Sequence, residues 1–393
     1  AVTDLGNVES DLNRKGDIFM QYKDFGKTGI KISALGFGAM RLPQKNVDGK
    51  SVFDVEKSIE MIHRAFELGV NYIDTAPGYC NGESEIIVGK ALKGWRDKVY
   101  LSTKNPIDDD SGDHFRERLE KSLKKLDVDY IDFYHMWGID WDTYVNRIDV
   151  KNGPLQAAFK AKEEGLVRHI SFSFHDKPEN MIKIIDTGNF ETVLCQYNLL
   201  DRSNEEAIAY AKEKGLGVVV MGPVGGGRLG APSDVIRNLL PGRMASSAEI
   251  ALRFVISNPG VSCALSGMST IEMVEENART ASNESPLSEA ELDAIKASME
   301  ENKRMAELYC TGCNYCMPCP QEVNIPLNFQ LMNYHRVYKL TDYAREQYKK
   351  IGTVDWMKGK KAEECVECGI CEEKCPQKLK IREQLKETAR ALA

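Results

Sequence analysis

From residue 34 to residue 282 the chain repeats one pattern eight times: a short apolar run, then a stretch with helical spacing. The apolar runs are 34–40, 70–74, 99–103, 130–135, 168–173, 192–196, 216–221 and 261–265. The helical stretches lie near 54–68, 84–92, 113–126, 155–164, 178–187, 204–214, 246–257 and 270–282. In the first, Val55, Ile59, Ile62, Ala65, Phe66 and Leu68 share one helical face, and Gly69 ends it. Eight such units in about 250 residues is the size of a (β/α)8 TIM barrel. A doubly wound sheet is the alternative, but it uses fewer units and places a glycine-rich loop after its first strand. Here that strand is followed by Arg41-Leu42-Pro43. A G-x-G-x-x-G string does occur at Gly225, Gly227 and Gly230, too late in the chain to build a nucleotide domain. Residues 25–33 read as a hairpin capping the barrel bottom.

The cysteines impose a second constraint. Of eleven, Cys80, Cys195 and Cys263 are scattered and read as packing residues, with Cys80 set apart because it adjoins Tyr79. The other eight form two strings. One is Cys310-x2-Cys313-x2-Cys316-x2-Cys319-Pro320, the other Cys365-x2-Cys368-x2-Cys371-x3-Cys375-Pro376. Dense thiols in a large chain without a secretory signal indicate metal or cluster ligation rather than disulfides. A pair of zinc sites, each held by four cysteines, is the competing reading. The second string is the bacterial ferredoxin run unchanged; the first is one residue short before its last cysteine. In two-cluster ferredoxins the fourth cysteine ligates the other cluster. That crossing assigns Cys310, Cys313, Cys316 and Cys375 to one [4Fe–4S] cluster, and Cys365, Cys368, Cys371 and Cys319 to the other. Between the strings, Leu327, Leu331, Tyr334 and Tyr338 recur at helical spacing, so this part resembles a mostly helical two-cluster ferredoxin-like domain.

The expected organisation is a leader or expression remnant over 1–19, the barrel over 20–285, a linking helix over 286–306 and the cluster domain over 307–393. Ser288, with Glu291 three residues on, is the expected cap of the linking helix. A net charge of -7 gives nucleic acid no electrostatic attraction, and the few lysine clusters, such as 349–350 and 358–361, are flanked by acids. No stretch approaches the roughly 20 apolar residues of a membrane helix. The expectation is a cytoplasmic protein with neither membrane nor nucleic-acid partners.

In a barrel of this kind the chemistry sits at the C-terminal ends of the strands. The second strand ends in Asp74-Thr75-Ala76, followed by Pro77-Gly78-Tyr79; the third ends in Ser102-Thr103-Lys104. An acid, a phenol and an ammonium therefore meet on one rim. Reduction of a carbonyl needs a proton donor at oxygen, and a phenol of pKa near ~10 serves only with a cation beside it. Lys104 supplies that cation, and Asp74 orients it. D-T-A-x-x-Y-x-x-x-E followed by S-T-K resembles the aldo-keto reductase family, in its iron–sulfur-containing branch. The resemblance implies Tyr79 as general acid, Lys104 as its tuner and Asp74 as the orienting carboxylate. The family's fourth residue is a histidine after strand four. Without gaps Trp137 falls there, and His135 lies two residues earlier on the same strand face. Either a local irregularity brings His135 into the site as a fourth catalytic residue, or Trp137 shapes the pocket above it.

The resemblance also implies a nicotinamide cofactor. Ser173 and Gln196 would hold the carboxamide, although the family's Ser-Asn pair is Ser173-Phe174 here. Gly222, Gly225 and Arg228 would lie over the pyrophosphate, where glycines let N–H groups approach. Gly267 and Ser269 open a helix whose N-terminus favours an anion, and Glu276 and Asn277 would meet the adenine. Many NADPH-specific members carry a basic residue near Ser269; this chain does not, which weakens the case for NADP(H) against NAD(H). Trp141 and Tyr144, in the long segment after strand four, hint at a ring-bearing ligand.

The expected activity is therefore interconversion of a small-molecule carbonyl and alcohol, with the clusters structural or wired to a redox partner protein. A nicotinamide gives up two electrons together whereas a cluster takes one, and no flavin motif bridges them. Two alternatives follow: an electron-transfer subunit whose barrel only binds a ligand, and a protein whose clusters regulate the barrel by redox state.

Overall fold

The computed structural model describes residues 19–225, 229, 233–239, 246–282, 287–307, 310, 314, 316–375 and 379–393. Eight parallel strands close a barrel: β1 (Leu35–Gly38), β2 (Tyr72–Asp74), β3 (Tyr100–Pro106), β4 (Ile131–Ile139), β5 (Val167–Phe174), β6 (Thr192–Gln196), β7 (Gly217–Met221) and β8 (Cys263–Ser266). Chain order is spatial order, with β8 pairing back onto β1. The helices that return the chain are α1 (Val55–Glu67), α2 (Ser84–Ala91), α3 (Gly112–Leu126), α4 (Pro154–Glu163), α5 (Pro178–Asp186), α6 (Glu205–Lys214), α7 (Ser247–Ser257) and α8 (Ile271–Ala281). Each expected strand–helix unit is present, and the largest boundary error is in β4, which runs four residues further than the apolar pattern.

Local chemistry sets the ends of these helices. Asp54 accepts from the Lys57 N–H at the start of α1, Ser111 from that of His114 at α3, and Thr270 from that of Met273 at α8; each satisfies one donor the helix leaves open. Gly215 closes α6 in the left-handed region at φ +85°.

The barrel is stoppered at its N-terminal end. Strands Tyr22–Asp24 and Lys31–Ser33 form the expected antiparallel hairpin. It inserts Phe25 against Phe133, with ring centroids 4.8 Å apart, and against Tyr72 at 6.1 Å. All three rings are fully buried with Leu194, Val219 and Cys263. Cys195 and Cys80 are buried as well, so the three scattered cysteines are packing residues.

A second hairpin, Gln44–Val47 with Lys50–Phe53, was not anticipated. Its turn is Asp48-Gly49, both at positive φ, the Asp-Gly pair that two-residue hairpins favour. The segment after β4 also differs from the sequence reading. Trp141 and Tyr144 stack on each other at 5.6 Å, and Tyr144 is buried with its hydroxyl bonded to Asn189 and Asp149. These rings pack on the flank of the barrel, Tyr144 also against Phe190.

Beyond the barrel, α9 (Glu289–Glu307) begins at the expected box: Glu291 accepts from the Ser288 N–H, and Ser288 Oγ from the Glu291 N–H. The C-terminal part is helical, with α10 (Ile325–Arg336), α11 (Thr341–Lys350) and α12 (Ile381–Leu392). Its apolar residues, including Leu331, Tyr334 and Tyr338, are continuous with the core between barrel strands and helices. Ser233 Oγ donates to the Tyr338 carbonyl at 2.8 Å across the junction, and Arg202 pairs with Glu300 at 2.9 Å. No helix among the described residues is long and apolar enough to cross a membrane.

One glycine tests the packing of the outer ring. An added Cβ on Gly89 of α2 would lie 2.2 Å from the Leu126 carbonyl oxygen at the end of α3. Alanine ordinarily favours a helix over glycine by ~1 kcal/mol. Here Gly89→Ala is expected to destabilise the fold by about 1–3 kcal/mol, measured as a lower denaturation midpoint in urea.

Candidate active site and cluster ligands

Strand register brings the rim residues together. Asp74 pairs with Ser102 across β2 and β3, and Lys104 with His135 across β3 and β4. Because side chains alternate along a strand, Ser102 and Lys104 face the same interior. Lys104 Nζ donates to Asp74 Oδ1 at 2.5 Å and to the Thr75 carbonyl at 2.7 Å; Ser102 Oγ donates to Asp74 Oδ2 at 2.7 Å. Lysine and aspartate are 2% and 1% exposed, which makes this a buried ion pair. Burial works against the Lys104 ammonium, but Asp74 and Tyr79 more than offset it, so its pKa stands above the ordinary value.

Tyr79 follows β2 in a short turn where Cys80 and Asn81 both take positive φ. The Lys104 ammonium lies 4.7 Å from the centre of its ring. Burial raises the phenol's pKa above the ordinary value; Lys104 pulls it down and Asp74 pushes it up. The field of Lys104 works against burial rather than lowering the pKa outright.

His135 does not reach this rim. Phe133, His135 and Trp137 occupy successive interior layers of β4: Phe133 in the floor, His135 above it, Trp137 at the top. His135 is fully buried and its Nε2 lies 2.9 Å from Ser102 Oγ. Burial first, then Lys104, lowers its pKa to about 3. The strand irregularity falls between Met136 and Ile139, beyond His135, so it moves Trp137 and Gly138 instead. Trp137 meets Tyr79 edge to face, at 5.8 Å and 89°. His135 thus lies below Trp137, whose contact in this region is with the Tyr79 ring.

Above these groups lies a cavity of about 250 Å³, walled by Asp74, Tyr79 and Gln196, by the apolar Met40, Met221 and Leu265, and at its mouth by Gly222 and Gly267. Gly222 sits at φ +63°, and a Cβ there would fall 2.9 Å from Gln196 Oε1. Only glycine leaves the Gln196 amide room beside this loop. Asn198 is buried and holds the loop from below, donating to the Gly222 carbonyl at 3.0 Å.

The remaining sequence candidates are spread around the mouth. Ser173 is buried, with Oγ accepting from the Gly138 N–H at 2.7 Å, so it closes the β4 irregularity rather than wall the cavity. Asn277 donates to Ser266 Oγ at 3.2 Å and ties α8 to the end of β8. Glu276 accepts from Ser246 Oγ at 2.7 Å on the surface, and Ser269 is exposed beside Met273. Gly225 and Arg41 border a groove against α10 and α11. Arg228 lies outside the described residues. Two contributors went unremarked in the sequence. Arg41 lines both cavity and groove, and only its place after the first strand pointed to it. Ser102 was legible from its two-residue spacing to Lys104.

In the C-terminal part, Cys316, Cys319, Cys365, Cys368 and Cys371 surround one small space with Ile325, Val366, Ile370 and Leu385. Cys316 and Cys319 of the first string thus meet three cysteines of the second; the crossing puts Cys319 in this set and assigns Cys316 to the other. The described cysteines form no disulfide, and among the described residues no His, Cys, Asp or Glu group is compact enough for a single metal ion. Soft thiol donors around a dry, apolar-walled space fit a cluster with sulfide of its own. Cys375 is buried nearby and Cys310 partly so; Cys313 lies outside the described residues.

A closed eight-stranded barrel with this rim, followed by a cysteine-rich helical domain, defines an oxidoreductase of composite build. The chain belongs to the aldo/keto reductase family, whose model matches residues 34–300, and residues 309–380 match a 4Fe-4S dicluster domain. The family match runs into α9. An uncharacterized oxidoreductase of Bacillus subtilis is 29% identical over 72% of this chain and 98% of its own. An aldo-keto reductase of Bacillus halodurans in its holo form aligns with a TM-score of 0.62 at 30% identity, over 71% of this chain and 96% of that one. An aldo-keto reductase of Klebsiella pneumoniae in complex with NADPH gives 0.59 at 25% identity, over 71% and 95%.

The ion pair makes a direct prediction. Lys104→Met strands the Asp74 carboxylate in a dry interior, and removing one partner of a buried pair costs about 3–5 kcal/mol. The double variant Lys104→Met/Asp74→Leu should recover much of that loss in equilibrium unfolding. Additive losses in the double-mutant cycle would show that the two side chains are not coupled.

Proposed function

We propose that the barrel interconverts a small carbonyl compound and its alcohol with NADP(H) or NAD(H), and that the C-terminal domain holds two [4Fe–4S] clusters. The observation that carries the first part is a cavity walled by Asp74, Tyr79, Gln196 and Gly222, with Lys104 buried against Asp74 and 4.7 Å from the centre of the Tyr79 ring. When bound, the nicotinamide supplies the hydride. Gln196 offers its amide to a carboxamide, and the Gly222 turn lets backbone approach the cofactor closely. Its presence in a Klebsiella relative supports a nicotinamide here, while Ser269 in place of a basic residue leaves NADP(H) and NAD(H) both open.

The chain's own residues then handle the proton. Tyr79 is a neutral phenol at neutral pH, so it holds a proton at the cavity wall. Lys104 favours the phenolate that forms when this proton passes to a carbonyl oxygen, and Asp74 keeps the ammonium charged and in place. The Lys104–Asp74 pair lies almost out of reach of solvent, which strengthens the field of Lys104. Trp137, edge-on to Tyr79, limits the ring's movement.

For the clusters, the ligands would be Cys365, Cys368, Cys371 and Cys319 in one set and Cys310, Cys313, Cys316 and Cys375 in the other. When bound, each supplies one-electron storage, suited to a redox partner protein in the cytoplasm.

Two measurements test this reading. Tyr79→Phe should abolish nicotinamide oxidation by an aldehyde and ketone panel while nicotinamide binding, followed by fluorescence titration, stays within about threefold; retained turnover would remove Tyr79 from the role. Anaerobically purified protein should contain about eight irons per chain and broad visible absorbance; zinc without colour would overturn the cluster assignment.

A further inference from the structure

His135 is a buried titratable group beside the active site that the proposed chemistry leaves without a task. Its hydrogen-bond geometry assigns one. A serine hydroxyl has a single proton to give, and Ser102 gives it to Asp74 Oδ2 at 2.7 Å. The Ser102 oxygen, 2.9 Å from His135 Nε2, is then the acceptor and Nε2 the donor, which leaves Nδ1, on the side of the Phe172 carbonyl, as a buried lone pair. The Tyr72 hydroxyl stands 3.5 Å from the same nitrogen, at the limit of a hydrogen bond. With its pKa lowered to about 3 the imidazole is neutral at working pH, so it is a fixed N–H donor rather than a proton carrier.

We infer that His135 is a positioning residue for the proton donor: through Ser102 it fixes the second oxygen of Asp74, and through Asp74 the ammonium that faces Tyr79. The inference rests on the reading of Tyr79 as that donor. A serine hydroxyl otherwise rotates freely about its C–O bond. With His135 on its lone pair, and the Tyr72 hydroxyl also within reach, the hydroxyl is oriented with its hydrogen toward Asp74. Asp74 then spends Oδ2 on Ser102 and Oδ1 on Lys104, and Lys104 is anchored a second time by the Thr75 carbonyl. The chain His135–Ser102–Asp74–Lys104 ends 4.7 Å from the Tyr79 ring. The other titratable groups that sense this pair are Tyr72 and Cys263, which sense Asp74, and His175, which senses Lys104. Burial keeps all three in their uncharged forms. The charge near Tyr79 is thus governed by how well Asp74 is neutralised.

The sign follows. Without the Ser102 donor, Asp74 carries less compensated charge and the Tyr79 pKa rises. The donor works while protonated, so activity is lost as pH rises through that pKa, and a higher pKa moves the alkaline limb upward. The test is an ultraviolet difference titration of Tyr79, each variant read against its own Tyr79→Phe counterpart. His135→Leu and Ser102→Ala should raise the Tyr79 pKa by roughly half a unit to one unit. His135→Gln, which keeps an N–H donor, should stay at the wild-type value. The alkaline limb of kcat/KM should move in the same order. An unchanged Tyr79 titration in folded Ser102→Ala overturns the inference, as does an equal shift in His135→Gln and His135→Leu, which would mark a packing effect. The titration needs no substrate. Failure to reduce carbonyls would therefore sink the proposed function while this test still reads the relay.

Discussion

A lysine and an aspartate with almost no solvent access stand at the centre of this barrel, and everything at the rim is arranged around keeping them there. Removing two charges from water is costly, and mutual attraction repays it only when the remaining donors and acceptors are met. Here they are met from three strands: Asp74 comes from β2, Ser102 and Lys104 from β3, and His135 from β4. The closed parallel sheet sets the register of those strands, and the aromatic floor of Phe25, Tyr72 and Phe133 supports the layer on which they sit. The ion pair therefore depends on barrel closure, and the tuning of Tyr79 depends on the ion pair.

The C-terminal domain is not a loose appendage. Its apolar side chains merge with the layer between barrel strands and helices, and its helices α10 and α11 border the groove that Arg41 shares with the active-site cavity. The cysteine-lined space belongs to the same body as the barrel, because Ile325 of α10 and Leu385 of α12 wall it and α10 also lines the groove. Packing alone thus ties the two halves mechanically, whatever electrons pass between them.

Much of this was legible in the chain. Eight alternations of period, with a cysteine run of ferredoxin spacing behind them, allow few other architectures, and the helix cap at Ser288 follows from local hydrogen bonding. What the sequence could not resolve was depth. Period-two alternation puts Phe133, His135 and Trp137 on one face of β4, but not which layer each occupies; that is set by how far β4 slides against β3. Trp141 and Tyr144 failed for a related reason: aromatic residues in a rim segment look alike whether they face a ligand or the barrel wall. The Asp48-Gly49 hairpin carried its signal openly, but within a polar stretch where no apolar run drew attention to it. Ser173 and Ser102 are the same residue type near strand ends, and only tertiary register sends one to a strand irregularity and the other to the ion pair.

The hairpin that brings Phe25 beneath the barrel has a consequence for traffic. With the floor packed by rings, the described residues leave the cavity above open toward the rim, so a molecule that enters there leaves by the same door. Two ligands sharing such a space cannot exchange in arbitrary order: the one seated deeper waits for the outer one to depart. A stoppered barrel thus imposes a sequence on arrival and release through geometry alone, and the slow step of a full cycle can be the emptying of its deepest seat rather than any event at Tyr79.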